Sequence, residues 1–412
     1  MRGGGNVSVG SGHGMNGAAA AGRKPAACRA YLDNACMGRP DPAVLQEVRS
    51  MLDRLALHAE SPTDLTVDLY GYYGRARRAV AALVGGAEED IALVESTSHG
   101  LGLVAGSLPL QAGDNVLVCD LEFLPTVLCW QARRRVVDFE VRRVSTRDGR
   151  VSPEDFEALA DERTRAIAVS AVQEINGFRT DVTALAEIAH KRDAVLIVDG
   201  VQEVGAVAVD VVHSGADVYC AGGHKWLCNP LGMGFLWLGQ RLRDLLEPSA
   251  YAYFNLESPD GGWGEYLASP ARTPFDPLQV THTAARFETG AYGNFAGALA
   301  LAANVERQLS LGPTEVERRV RGMGDRLLDG LEERGLQVVS HLESQHRSGT
   351  VTFALPGGRE QERLLNRYLD ERGVFVSVRY TTGVGGIRVS PHYFTSAEEV
   401  DLLLDEVDGF LA

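Results

Sequence analysis

The sequence predicts an α/β fold, with a large, mainly parallel sheet covered by helices and a smaller α+β domain at the C-terminus. Short apolar segments alternate with amphipathic ones from residue 29 onward, at the spacing of βαβ units. The 412 residues are 45% hydrophobic and 23% charged, which is the composition of an ordinary globular chain. No apolar run approaches the ~20 residues that a membrane span requires.

Six apolar segments are predicted as strands of the large sheet, and three segments between them as helices. The strands are Ile91–Val94, Asn115–Cys119, 166–172, 194–198, 218–221 and Gly234–Leu238. The helices are 100–107, Pro153–Leu159 and 182–192. Parallel sheets bind their ligands beyond the carboxyl ends of the strands, so functional residues are expected at that edge.

The C-terminal part is predicted to form a separate small domain. Residues 248–277 are rich in loop-forming and aromatic residues, and helices are expected at 294–308 and 314–334. Strands follow at 337–340, 350–354 and 374–378, and a Ser-x-x-Glu capping box at Ser396 opens a last helix. The expected organisation is a disordered tail (1–28), a segment packing with the small domain (29–49), a large domain (50–293) and the small domain (294–412).

Charge and cysteine content exclude several classes of protein. The net charge of −15 argues against binding to a nucleic-acid backbone or an anionic membrane. Six cysteines in so long a chain do not form a disulfide scaffold, and no CxxC or HExxH spacing predicts a metal site. Residues 1–28 lack the apolar core of a secretory signal, so a cytoplasmic location is expected.

Gly100, Gly102 and Gly106 follow a predicted strand, and Asp120 ends the next one, which superficially matches a dinucleotide-binding fingerprint. However, Ser96-Thr97-Ser98-His99 comes first, at the turn from strand to helix. The glycines therefore fall inside the helix rather than at its start. We interpret them as sites where the helix packs closely on the sheet, and not as a nicotinamide cofactor site.

The strongest chemical signal is a strand that ends in Asp199, followed by a second strand that leads into His224-Lys225. The chain has only two other lysines, Lys24 and Lys191. A lysine facing a buried carboxylate suits pyridoxal phosphate, because the amine forms a Schiff base and the carboxylate keeps the ring nitrogen protonated. The hydroxyls and backbone amides of residues 96–100, at a helix N-terminus, offer a site for the phosphate.

On these motifs, from Tyr31-Leu-Asp-Asn-Ala to Arg388-Val-Ser, the chain resembles the class V aminotransferase family. This family of fold-type I pyridoxal-phosphate enzymes includes cysteine desulfurases, isopenicillin N epimerase and kynureninase. The resemblance implies that Lys225 is the catalytic Schiff-base lysine and Asp199 the partner of the ring nitrogen. It implies further cofactor contacts from Thr97, Ser98, His99, Phe123, Gln202 and His224. Arg388 and Asn34 are the implied substrate-binding residues, and a homodimer with sites at its interface is the implied assembly.

Departures from the family pattern bear on the reaction. Gly222-Gly223 supplies no hydroxyl before the His-Lys pair, and Ala291 replaces a threonine that usually reaches the partner subunit's phosphate. Phe123 stands where many relatives have a histidine, and so cannot act as an acid or base. All six cysteines precede residue 229, so the segment 378–386 lacks the thiolate with which group cysteine desulfurases receive sulfur.

The reaction predicted from these departures is β-elimination from a cysteine S-conjugate, with loss of a thiol. Epimerisation, transamination and decarboxylation of an amino acid remain open, as does a cofactor-binding protein without turnover. The aromatic loop from Tyr251 to Trp263 is expected at the entrance of the site, indicating a substrate bulkier than cysteine. For Arg388, the alternative is a structural ion pair with an acid of the last helix, Glu398 or Glu399.

Overall fold

A computed structural model describes residues 27–57, 62–230, 232–248, 251–252, 255–288 and 291–412. The predicted tail lies outside the described residues except at residues 27 and 28. The strands are β1 (Ala30–Tyr31), β2 (Ile91–Val94), β3 (Asn115–Cys119), β4 (Glu140–Val144), β5 (Thr164–Ser170), β6 (Val195–Asp199), β7 (Val218–Gly222), β8 (Gly234–Leu238), β9 (Gln337–Val338), β10 (Val351–Ala354), β11 (Val374–Phe375), β12 (Ser377–Thr381) and β13 (Val384–Val389). The α-helices are α1 (Pro42–Leu57), α2 (Pro62–Val84), α3 (Thr97–Ser107), α4 (Leu124–Arg133), α5 (Pro153–Leu159), α6 (Val182–His190), α7 (Gln240–Leu245), α8 (Gly262–Ala268), α9 (Phe295–Leu311), α10 (Pro313–Glu333), α11 (Gly358–Asp370) and α12 (Ala397–Leu411).

A seven-stranded sheet with the order β2-β8-β7-β6-β5-β3-β4 forms the centre of the molecule. Strands β3 to β7 run parallel to one another, and β8 runs antiparallel to both β2 and β7. The predicted α/β fold with a mainly parallel sheet is therefore confirmed. The sequence did not identify β4, because this strand lies at the sheet edge and its Glu-Val-Arg-Arg-Val pattern is largely solvated.

Strand register brings the ends of five strands together at one edge of this sheet. Val118 of β3 pairs with Ala168 of β5, Ser170 pairs with Asp199, and Asp199 pairs with Cys220. Gly222 pairs with Gly234, which in turn pairs with Val94. The turns that leave β2, β3, β5, β6 and β7 therefore meet at this edge, where ligands of parallel sheets bind.

Helix α3 packs closely on the sheet at one of its three glycines. A Cβ atom at Gly100 would overlap the sulfur of Cys220, whereas nothing lies within 4 Å of such an atom at Gly102 or Gly106. All three glycines lie inside the helix. The expected packing role is thus confirmed for Gly100 and wrong for the other two.

A second sheet, in the C-terminal part, is antiparallel and has the order β12-β13-β10-β9. The predicted strand at 374–378 is divided into β11 and β12, since β11 pairs with β1 and β12 with β13. Ala30 pairs with Val374, so the start of the described chain is an integral part of this region. The predicted last helix and its capping box at Ser396 are confirmed.

Helix α9, assigned to the small domain by the sequence, packs with the large sheet. Its residues Ala298, Leu301 and Val305 belong to the same buried cluster as α2 and the central strands. The reason is its composition: small apolar residues cover most of its surface, so it is buried on several sides. Gly312, with a φ of 90°, separates α9 from α10.

No described helix combines the length and apolar character needed to cross a membrane. In the part of the chain that the structure describes, no three His, Cys, Asp or Glu side chains are grouped so that they could hold a metal ion.

Candidate active site

A cavity of about 770 Å³ lies at the sheet edge where the strand ends meet. It is lined by the turns after β2, β3 and β6, by the segment that carries Lys225, by the β12–β13 hairpin and by the N-terminal segment. Of the predicted site residues, seven line it: Thr97, Ser98, Phe123, Asp199, His224, Lys225 and Arg388. Residues more than 200 positions apart in the sequence thus share one cavity.

Asp199 ends β6 and is buried at the floor of the cavity. One carboxylate oxygen accepts a hydrogen bond from the backbone amide of Val201 (3.0 Å), and the other accepts one from the hydroxyl of Thr126 (3.4 Å). Burial raises the pKa of Asp199 to about 6, against the opposing effects of the Val201 amide and the charge of Lys225. A cationic group brought to this carboxylate would be strongly favoured.

Lys225 is buried, and its ammonium group makes no hydrogen bond with the described residues. Its Nζ lies 5.8 Å from the centre of the Phe123 ring. Burial lowers the pKa of Lys225, and the negative charges of Asp199 and Glu174 oppose this shift. An amine with a lowered pKa is a better nucleophile near neutral pH, which is the property a Schiff-base lysine requires.

The start of α3 forms one wall of the cavity. Ser96 caps the helix by accepting a hydrogen bond from the amide of His99 (3.1 Å). The amides of Thr97 and Ser98 precede the first hydrogen bond of the helix backbone, which runs from Gly100 to Ser96. The Thr97 hydroxyl accepts a hydrogen bond from the amide of Gly222 (2.8 Å), which fixes this turn against β7.

Phe123 presents an aromatic face to the cavity, with 47% of its surface exposed. The neighbouring Glu122 is buried, and its carboxylate accepts hydrogen bonds from the amide and hydroxyl of Ser170 and from the side chain of Gln173. Burial raises the pKa of Glu122. Glu122 therefore holds the turn after β3 in place, while Phe123 remains free to stack on a planar ring.

These residues fit pyridoxal phosphate on four counts. A buried carboxylate with a raised pKa suits the ring nitrogen, and a buried lysine without a hydrogen-bond partner suits the aldehyde. Free amides at the start of α3 suit the phosphate, and an exposed phenyl face suits the ring. The charge, donor and shape requirements of the cofactor are all present in one cavity.

Three predicted site residues do not line the cavity. The side chain of Gln202 donates to the carbonyl of Ala35 (2.9 Å) and accepts from the indole of Trp226 (2.9 Å). The ring of His99 accepts from the amide of Glu95, and Asn34 is fully buried and donates to the carbonyl of Ser390 (2.9 Å). Gln202 and Asn34 thus anchor the N-terminal segment against neighbouring elements.

Arg388, on β13, lines the cavity with only 1% of its surface exposed. One terminal nitrogen, Nη2, donates to the carboxylate of Asp33 (3.0 Å) and to the hydroxyl of Ser377 (3.2 Å). The other, Nη1, donates to the carbonyl of Glu174 and lies 3.5 Å from the carboxylate of the same residue. Arg388 is therefore paired with acids, although not with those of the last helix that the sequence suggested.

Among the polar cavity residues that sequence reasoning missed are Cys36, Glu174 and Arg379. Glu174 could have been found, since it follows the carboxyl end of β5, at the edge where functional residues were expected. Cys36 and Arg379 come from the two ends of the chain, and the Arg379 guanidinium lies 3.8 Å from the Cys36 sulfur. No local pattern marks either residue, because their place in the cavity depends on the pairing of β1 with β11.

The expectation that the aromatic loop lines the entrance is wrong for the described residues of that loop. Tyr251 hydrogen-bonds to Glu247, and Trp263 packs edge-on against Tyr266. Neither lines the cavity, and residues 253 and 254 lie outside the described residues.

Comparison with known proteins shows the family of this chain. The family model "Aminotransferase class-V" matches residues 30–403. The chain belongs to the class-V aminotransferase family. Isopenicillin N epimerase of Streptomyces clavuligerus is 28% identical over 369 residues, covering 86% of this chain and 89% of that protein. A probable cysteine desulfurase of Methanothermobacter thermautotrophicus is 28% identical over 357 residues, covering 81% of this chain and 83% of that protein.

Among solved structures, the cystine C–S lyase C-DES in complex with its product cysteine persulfide has a TM-score of 0.81. The sequence identity is 18%, and the match covers 92% of this chain and 96% of that one, so it shows the fold. Another C-DES structure, with a TM-score of 0.82, has glycine covalently linked to its PLP cofactor. The predicted family and the fold-type I architecture are confirmed.

Proposed function

We propose that this member of the class-V family is a C–S lyase that catalyses β-elimination from a cysteine S-conjugate. Pyridoxal phosphate is the cofactor of the site. When bound, it withdraws electrons from the α-carbon of an amino acid, so that a substituent there leaves more easily. The single observation that carries the choice of reaction is the composition of the β12–β13 hairpin. It lines the cavity with Arg379, Tyr380 and Thr381, and contains no cysteine to receive sulfur.

The predicted site residues have distinct roles in this reaction. The amides of Thr97 and Ser98 bind the phosphate, Phe123 stacks on the ring and Asp199 holds its nitrogen in the protonated form. Arg388 orients the α-carboxylate of the substrate, and His224 extends the polar wall beside the phosphate.

Gln202 and His99 act as positioning residues rather than as direct contacts. Asn34 likewise positions the segment that carries Cys36.

Lys225 moves the proton in this proposal. Its neutral amine takes the proton from the α-carbon, and the electron pair expels the sulfur from the β-carbon as a thiolate. The thiolate leaves as a thiol after it takes up a proton. The three-carbon remainder yields pyruvate and ammonia after water is added. No oxidant or reductant is consumed.

A second candidate function, sulfur transfer to Cys36, is favoured by one observation. Cys36 is exposed, lines the same cavity and lies beside Arg379. In that reaction its thiolate would attack the sulfur of bound cysteine, leaving alanine and a persulfide on Cys36. The two functions differ in their products. They also differ in whether the Cys36→Ser variant keeps its activity.

The deciding experiment incubates the cofactor-loaded protein with cysteine and a panel of cysteine S-conjugates. Under the proposed function, mass spectrometry finds pyruvate, ammonia and free thiol in equal amounts, and Cys36→Ser retains activity within about twofold. Alanine with a persulfide on Cys36, lost in Cys36→Ser, would instead establish sulfur transfer. A D-amino acid, an intact keto acid or carbon dioxide would establish epimerisation, transamination or decarboxylation. If no substrate gave any product, the protein would be a cofactor-binding protein without turnover.

The assembly and location predicted from the sequence complete the proposal, together with a domain boundary that we move from residue 294 because α9 packs with the large sheet. We infer a homodimer in the cytoplasm, with the segment around Ala291 near the partner's phosphate, and a small domain that begins after Gly312. Light scattering of active protein tests the assembly, and a stable 44.4 kDa monomer with full activity would contradict it.

A further inference from the structure

We infer that Glu174 competes with the α-carboxylate of the substrate for Arg388, and thereby sets how tightly the site binds amino acids. The inference rests on the proposed role of Arg388 in carboxylate binding. It goes beyond that role because it assigns the control of substrate affinity to Glu174, which is not among the predicted site residues.

The first step of the argument is the charge balance around Arg388. A buried guanidinium requires a negative partner, because burial of an unpaired charge is costly. Asp33 supplies that partner, with its carboxylate at 3.0 Å from Nη2. The same carboxylate accepts a hydrogen bond from Ser377 (2.8 Å), so Asp33 is fixed in the framework. Arg388 and Asp33 together are already neutral.

Glu174 is a second carboxylate at the same guanidinium. Its Oε2 lies 3.5 Å from Nη1, and its side chain is 14% exposed. Glu174 lines the cavity, whereas Asp33 does not. Glu174 therefore lies on the side from which a substrate approaches.

The guanidinium has no room for a third carboxylate. Nη2 is engaged by Asp33 and Ser377, Nη1 faces the carbonyl and carboxylate of Glu174, and Nε is buried without a partner among the described residues. An incoming α-carboxylate would place three negative charges around one positive charge. Since Glu174 is the cavity-side partner, it has to move off Nη1 when a carboxylate binds. Its negative charge opposes binding until it does.

Removing the charge of Glu174 while keeping its shape tests this inference. The experiment uses cofactor-loaded wild type, Glu174→Gln and a matched control, Glu95→Gln. Glu95 is an exposed acid next to the cavity wall at Ser96 and does not contact Arg388. The probe is propionate, which carries a carboxylate and cannot react, and its binding is followed by the absorbance of the cofactor. Propionamide, of the same shape without the charge, is the control ligand.

Glu174→Gln is expected to lower the Kd of propionate about five- to thirtyfold, which is the effect of removing one charge at this distance in a partly exposed site. The Kd of propionamide stays the same, and Glu95→Gln changes both values by less than about twofold. An unchanged or raised Kd for propionate in Glu174→Gln would overturn the inference, as would an equal decrease in Glu95→Gln.

Glu174→Asp provides a second test if Glu174→Gln folds poorly. It keeps the charge but shortens the side chain, so the carboxylate moves away from Nη1, and the Kd of propionate is expected to fall by a smaller factor. A rise would contradict the inference. Because propionate binding needs no turnover, either outcome is independent of whether the protein proves to be a lyase. Failure of the proposed cofactor would be visible separately, as the absence of the cofactor absorbance.

Discussion

The two halves of the cavity are built in opposite ways. In the cofactor half (Thr97, Ser98, Phe123, Asp199 and Lys225), an ammonium group and two backbone amides make no hydrogen bond with the described residues, and the Phe123 ring faces the cavity with Lys225 Nζ 5.8 Å from its centre. In the carboxylate half (Glu174, Arg379 and Arg388), Arg388 is already paired with two acids, Glu174 and also Asp33, which does not line the cavity. The cofactor half is therefore ready to bind, whereas the carboxylate half has to exchange one partner for another.

This difference reflects how the cofactor and the substrate are each bound. A cofactor that stays bound favours a preformed site whose polar groups have no competing partner. A substrate that enters and leaves at each turnover is served by a charge that remains neutralised when the substrate is absent. The predictions below test this contrast, beginning with the largest expected effect.

Lys225→Ala is expected to abolish turnover and the covalent cofactor adduct together, because Lys225 is the only lysine among the described residues that line the cavity. The measurement is mass spectrometry after borohydride reduction, which adds the cofactor mass to the wild type but not to Lys225→Ala. Lys191→Ala, on the opposite end of α6 from the site, is the matched control and keeps both. An adduct on the Lys225→Ala protein would show that an amine other than Lys225 binds the cofactor covalently.

Arg388→Lys is expected to lower kcat/KM about 30- to 1000-fold, equivalent to about 2–4 kcal/mol, while the cofactor spectrum stays intact. Lysine keeps the charge but not the planar fork that a carboxylate requires. Steady-state kinetics and the melting temperature are measured on the same protein. Because Asp33 also loses part of its pairing, the melting temperature falls as well. A lower melting temperature with unchanged kcat/KM would reduce Arg388 to a structural residue.

Asp199→Asn is expected to lower the activity of the loaded protein and to raise the stability of the apoprotein. Burial raises the pKa of Asp199 from 3.8 to about 6, so the folded apoprotein binds the proton more tightly than the unfolded chain. Proton binding therefore stabilises the fold below about pH 4, and this contribution is lost as the pH rises to about 6. The substitution removes the cost of the buried charge, about 3 kcal/mol above pH 6.

Denaturant unfolding of the apoprotein at pH 5 and pH 8 measures this effect. The Asn variant should gain stability over the wild type at pH 8, with a smaller gain at pH 5. The loaded variant should lose about a hundredfold in kcat/KM, because its ring nitrogen no longer has a charged partner. Equal stability of the two apoproteins at both pH values would mean that the buried charge of Asp199 does not destabilise the folded apoprotein.

The same division explains how much the sequence could predict. Six strands of the large sheet were located within about two residues, and the cofactor half followed from them, because its residues lie at strand ends with short local motifs. Asp199 at the end of β6 and Ser96-Thr97-Ser98 at the start of α3 are readable in this way.

The carboxylate half was readable only in part. Arg388 was found through a family motif, but its partners Asp33 and Glu174 lie 355 and 214 residues away in the sequence. No periodic pattern encodes such contacts. Likewise, β4 and the split between β11 and β12 depend on which strands become neighbours. Cys36 and Arg379 could not be placed in the cavity until that pairing was known.

The passage of the N-terminal segment behind Lys225 has a consequence for how the protein is made. Gly38 donates its amide to the carbonyl of His224, and a Cβ atom at Gly38 would overlap the carbonyl oxygen of Lys225. The strand just before it, β1, pairs with β11, near the other end of the chain. During synthesis, this segment emerges long before its partner strand β11. The part of the cavity wall that Ala35 and Cys36 form is therefore completed only after β11 has been made.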